Sequence, residues 1–125
     1  MDAILDSIVI YARDMHKTAE FYRKFFNFTT TGEIVDGIIM LEPVGGVARI
    51  RVHQAAKSVK LGQVGVKLSF AVRDVEGFKA KAAELGLKFG STHAGKGYSF
   101  ANAKDPDKNS VSISSRAYMR KSIDF

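Results

Sequence analysis

The chain states one pattern twice. Ile8-Val9-Ile10-Tyr11-Ala12-Arg13-Asp14-Met15 is matched, at an offset of 60 residues, by Leu68-Ser69-Phe70-Ala71-Val72-Arg73-Asp74-Val75. Both segments are short β-rich runs that close on Arg-Asp and then change to helical spacing. A repeat of this length implies two copies of one supersecondary unit, and that limits the fold more than any bulk property does.

The helices follow from the spacing. Asp14 and Asp74 stand where an N-cap carboxylate accepts hydrogen bonds from the unpaired amides of a first turn. Met15, Ala19, Tyr22 and Phe26 form one apolar stripe, and Val75, Phe78, Ala82 and Leu85 form the other. Gly86 suits the left-handed position that ends the second helix, and Asn27 the end of the first. Three β-like runs follow each helix: Thr29 to Val35, Gly37 to Glu42 and Val47 to His53, then Lys88 to Thr92, Tyr98 to Asn102 and Ser110 to Ser114. Asp36-Gly37, Pro43 to Gly46, Gly95-Lys96-Gly97 and Asp105 to Asn109 supply the turns. Unit one is expected over about 4–54, a polar linker over 55–64, unit two over about 65–116, and a tail over 117–125 whose place the sequence does not indicate. The expected fold is α+β: two tandem βαβββ units forming a curved mixed sheet around a cleft, with helices on the outer face.

At 125 residues, 46% hydrophobic and 26% charged, the chain has the composition of a single domain, neither disordered nor membrane-embedded. No apolar run reaches the roughly 20 residues of a membrane span. The opening Met1-Asp2-Ala3-Ile4 lacks the basic and apolar segments of a signal peptide, so a cytoplasmic location is expected. The absence of cysteine removes disulfides and thiolate metal sites. The net charge of +6 is spread along the chain rather than massed, and no strand interleaves basic and aromatic residues as single-strand RNA binding requires. Neither nucleic acid nor membrane is expected as a partner.

In its order of motifs the chain resembles the vicinal oxygen chelate superfamily, which includes glyoxalase I, extradiol dioxygenases, fosfomycin-modifying enzymes and bleomycin resistance proteins. The resemblance runs over roughly residues 4 to 116. It is carried by Ser7 to Asp14, by Ala19-Glu20-Phe21-Tyr22, by Leu68 to Val75, and by the turn Asp105-Pro106-Asp107-Lys108-Asn109. Enzymes of that superfamily usually set metal ligands early in each unit's first strand and midway along its last. The resemblance equates those positions with Ser7, Arg51, Lys67 and Ser112, where His, Glu or Gln would be usual. Two serines and two cations offer a divalent ion neither carboxylate nor imidazole. No metal and no cofactor are therefore expected. His16, His53 and His93 have no second ligand at metal-motif spacing, and no Ser-His-Asp or Cys-His set is legible.

Strand alternation separates a helix-covered face from an open one. On the open side fall Ser7, Val9 and Tyr11, then Arg49, Arg51 and His53, then Lys67, Ser69 and Ala71, then Ser110, Ser112 and Ser114. The candidate ligand-binding residues are Ser7, Arg51, His53, Lys67, Ser69 and Ser112, with Tyr98 and Phe100 as an apolar wall. Arg51 and Lys67 either bind a carboxylate, phosphate or enolate-like oxygen, or face solvent and pair with Glu33, Asp36 or Glu42; the sequence leaves both open. Tyr98, Phe100, Tyr11 and Met40 are equally readable as packing residues. The function expected is a metal-free small-molecule binding protein of glyoxalase/bleomycin-resistance type, with an anionic or neutral ligand. The alternative is a glyoxalase-like lyase, isomerase or dioxygenase with a divergent metal site. A homodimer is expected in either case.

Overall fold

The computed structural model describes residues 1–2 and 5–119. Its element order is β1 (Ser7–Ala12), α1 (Met15–Phe25), β2 (Phe28–Thr29), β3 (Ile38–Pro43) and β4 (Arg49–Gln54), then β5 (Lys67–Ala71), α2 (Val75–Glu84), β6 (His93–Ala94), β7 (Ser99–Lys104) and β8 (Ser110–Ser114), closed by a 3-10 turn at Arg116–Tyr118. The tandem βαβββ architecture is present as two four-stranded mixed sheets, ordered β1-β4-β3-β2 and β5-β8-β7-β6. In each sheet the first strand runs parallel to the last and lies at one edge. The duplication extends to register: Val9 opposes Arg51 and Ser69 opposes Ser112.

The chain forms two compact units. The first is Met1–Val64 together with Asp105–Lys108; the second is Gly65–Lys104 and the chain from Asn109 onward. The four-residue excursion is not apparent in the sequence, where Asp105 to Asn109 reads simply as a turn between strands. In the first unit α1 buries Met15, Thr18, Ala19, Phe21 and Tyr22 against Ile10, Ile39, Leu41, Ile50 and Val52. Phe21, Tyr22, Phe26 and Phe28 add an aromatic cluster, with Phe21 and Tyr22 edge-to-face at 5.1 Å. In the second unit α2 buries only Val75 and Ala82, over a sheet whose Ala101, Val111 and Ile113 are fully covered. Leu85, expected on the α2 stripe, is 45% exposed because the helix ends at Glu84. The terminators behave as the sequence indicates, with φ of 59° at Asn27 and 100° at Gly86.

Two expected strands are much shorter than expected. Of Thr29 to Val35 only Thr29 lies in a strand, as the second residue of β2, and Val35 adds an isolated bridge to Ile38. Side chains divert this backbone: Gly32 N–H donates to Thr30 Oγ1 at 3.1 Å, Glu33 N–H to Thr31 Oγ1 at 3.3 Å, and Gly32 takes a φ of 76°. Lys88 to Thr92 likewise forms no strand. Gly90 N–H reaches Asn102 O at 2.9 Å, but pairing proper begins at His93. Part of the expected tail, residues 120–125, lies outside the described residues.

Candidate functional site

Each sheet has one face under its helix and one open face, and every sequence-derived candidate lies on or beside an open face. In the first unit the parallel pairing of β1 with β4 sets Ser7 beside Arg49, Val9 beside Arg51 and Tyr11 beside His53. Half-buried Ile8 and buried Ile10, Ile50 and Val52 alternate with them, which is why the polar set projects the other way. The Tyr11 and His53 rings lie 5.7 Å apart.

The cations of this face are neutralised from within the unit. Arg51 Nη2 donates to Asp6 Oδ2 at 3.1 Å, and Arg49 lies 3.0 Å from Glu42 and 3.8 Å from Asp6. Of the carboxylates the sequence offers as partners, Glu42 is used, but by Arg49. Arg51 takes Asp6, which precedes the first strand and has no signal in the sequence. Arg51 Nε is itself buried without a hydrogen-bond partner.

The second unit's open face is organised differently. Lys67 Nζ donates to Asn102 Oδ1 at 2.9 Å, and Lys104 Nζ to Ser110 Oγ at 2.8 Å. Ser112 sits between Ser69 and Asn102 in the ladder and is only 3% exposed, so it is the least accessible candidate. Toward the other end of β7 a row of rings runs across the strands. His93, just beyond the expected run Lys88 to Thr92, pairs with Phe100 and stacks on it at 5.1 Å and 30°. Phe100 in turn lies 6.3 Å and 29° from Tyr98. The Arg116 guanidinium lies 5.3 Å from the Tyr98 ring centroid, within cation–π range. Gly95 makes the row possible, since a Cβ there would collide with the Tyr98 ring. Asn102 was findable from its shared parity with Phe100, whereas Arg116, just past the last strand, had no pattern to betray it.

The four positions equated with metal ligands do not suit a divalent cation. Ser7 and Ser112 carry hydroxyls, Arg51 is ion-paired, and Lys67 presents an ammonium. Among the described residues, no group of three or more His, Cys, Asp or Glu side chains is placed to hold a metal ion.

A family model described as Glyoxalase/Bleomycin resistance protein/Dioxygenase superfamily matches residues 4–113. Among solved structures, an integron cassette protein from the mobile metagenome of V. cholerae is 23% identical with a TM-score of 0.68, over 91% of this chain and 95% of that one. A lactoylglutathione lyase from Agrobacterium tumefaciens is 19% identical at TM-score 0.68, over 90% and 93%. A superfamily member from Sphaerobacter thermophilus is 19% identical at TM-score 0.71, over 90% and 97%. No curated protein matches the chain in sequence. At these identities the structural likeness speaks for the fold alone.

Proposed function

The chain belongs to the glyoxalase/bleomycin resistance protein/dioxygenase superfamily, and from that membership we propose that it is a metal-free small-molecule binding protein whose ligand is anionic or neutral. The observation that carries this reading is the donor set at the family's ligand positions. In the first unit these positions hold a serine and an arginine already paired with Asp6, and in the second a serine and the Lys67 ammonium; none of the four is a carboxylate or imidazole for a cation, and the ammonium suits an oxyanion. Among the described residues no helix is long and apolar enough to cross a membrane, and the basic groups are not massed as a nucleic-acid surface requires.

Metal analysis of protein purified without chelators tests the reading. Far less than one divalent ion per chain is expected, with no rise in unfolding midpoint on adding zinc or manganese. About one bound ion per chain, with such a rise, would replace it by a lyase, isomerase or dioxygenase using a divergent metal site. The proposal includes a homodimer, since β1 and β5 each leave a sheet edge for pairing; a monomer in light scattering would remove that part alone.

A further inference from the structure

The open faces of the two units differ in a way that the repeat does not predict. Arg49 and Arg51 are held by Asp6 and Glu42, so the first unit's face carries little net charge. Among the described residues, Lys67, Lys104 and Arg116 on or beside the second unit's face have only neutral hydrogen-bond partners: an amide, a hydroxyl and a phenol. The strand positions of that face carry no Asp or Glu. Beside these cations runs the stacked row His93–Phe100–Tyr98.

We infer that the second unit's open face is the ligand platform, and that its ligand is a planar aromatic anion, the ring system stacked on the Phe100 row and the anionic group on Lys67. This rests on the metal-free binding reading and names the ligand class for it. The register supplies the geometry. Asn102 holds the Lys67 ammonium and lies two residues along β7 from Phe100, about 7 Å away at strand rise. An aryl carboxylate spans that separation. His93, Phe100 and Tyr98 are stacked on one another at interplanar angles of 30° and 29°, so a planar ligand ring extends the stack where a bulky one does not. An ammonium whose partner among the described residues is a neutral amide favours an oxyanion, because binding supplies a counter-charge without displacing one of theirs.

The experiment uses the whole chain and three probes: 2-naphthoate, planar and anionic; cyclohexanecarboxylate, anionic but not planar; and 2-naphthol, planar but neutral at pH 7. Calorimetric titration is expected to show 2-naphthoate binding at least several-fold tighter than either of the others. Phe100→Leu, which keeps an apolar side chain without a ring, is expected to weaken it roughly five- to tenfold. Lys67→Gln is expected to weaken it on the order of tenfold and to reduce its salt dependence. Lys81→Gln removes the same charge from an exposed position on α2, the helix of this unit, and is expected to leave the affinity unchanged. Circular dichroism of each variant confirms folding. Equal binding of both carboxylates, no binding of 2-naphthoate, or full affinity in folded Phe100→Leu protein would overturn the inference. The metal analysis is independent of all three and decides the underlying reading separately.

Discussion

Tyr22 shows how one side chain joins parts of the sequence far apart. Its ring is fully buried, and its hydroxyl donates to Asp105 Oδ2 at 2.8 Å. Four residues earlier, Thr18 Oγ1 donates to Asp107 Oδ2 at 2.5 Å, and Asp107 Oδ1 accepts from Arg13 N–H at 2.9 Å. Burial, reinforced by the Asp105 carboxylate, pushes the Tyr22 phenol far above its ordinary value of 10.0. The unfolded chain loses this proton near pH 10 while the folded chain keeps it, so the contribution is complete below that pH and is lost as pH rises. Urea unfolding is therefore expected to show stability falling above pH 10, with up to about 1.4 kcal/mol per pH unit from this group. Tyr22→Phe protein should lack that component. At neutral pH, Tyr22→Phe and Thr18→Val are each expected to cost about 1–3 kcal/mol, because each removes a hydrogen bond to a buried carboxylate. A loss below about 0.5 kcal/mol would show that the carboxyls find other partners.

Both helices begin on the same device. Asp14 accepts from Lys17 N–H at 3.1 Å and Asp74 from Gly77 N–H at 2.9 Å. Replacing either aspartate by alanine is expected to cost about 1 kcal/mol of stability. At α2 the cap and the glycine are coupled, because a Cβ on Gly77 would collide with the Asp74 carboxylate. Glycine in a helix ordinarily costs about 1 kcal/mol relative to alanine. Here Gly77→Ala alone is expected to gain little, since the cap must shift. In an Asp74→Ala background the same change should recover about 1 kcal/mol, and a double-mutant cycle measures the difference. The repeat also places equivalent arginines after the first strands. The Arg13 guanidinium donates to Ala56 O and Val59 O, and the Arg73 guanidinium lies 4.2 Å from the Tyr118 ring centroid. Each thus fastens the segment that leaves its own unit's last strand, by hydrogen bonds in one case and cation–π contact in the other.

At the scale of the whole chain, the two repeats are not two independent pieces. The Asp105–Lys108 turn lies between β7 and β8 in sequence, yet it packs within the first unit. A fragment ending at Val64 would lack both carboxyls that accept from Thr18 and Tyr22 and from the Arg13 amide. Such a fragment is expected to show no cooperative unfolding transition by circular dichroism, whereas the full chain should. A sigmoidal melt of the fragment would show that the α1 aromatic cluster suffices without the turn.

The duplicated unit, both helices with their caps and stops, and the sorting of strand residues into covered and open faces are all legible in the order of amino acids. These follow from local rules, since the periods of 3.6 and 2 and the chemistry of Asp, Asn and Gly act within a few residues. The strand after α1 is shorter than its periodicity implies because the Thr30 and Thr31 hydroxyls compete with the ladder for backbone amides, a contest that periodicity does not register. Tertiary structure alone decided the counter-charges. Asp6 reaches Arg51 over 45 residues, Asn102 reaches Lys67 over 35, and Asp105 meets Tyr22 over 83. Such pairings depend on which side chains a particular register brings within about 3 Å. They explain why two open faces built from one repeated pattern differ in charge and offer different chemistry to a ligand.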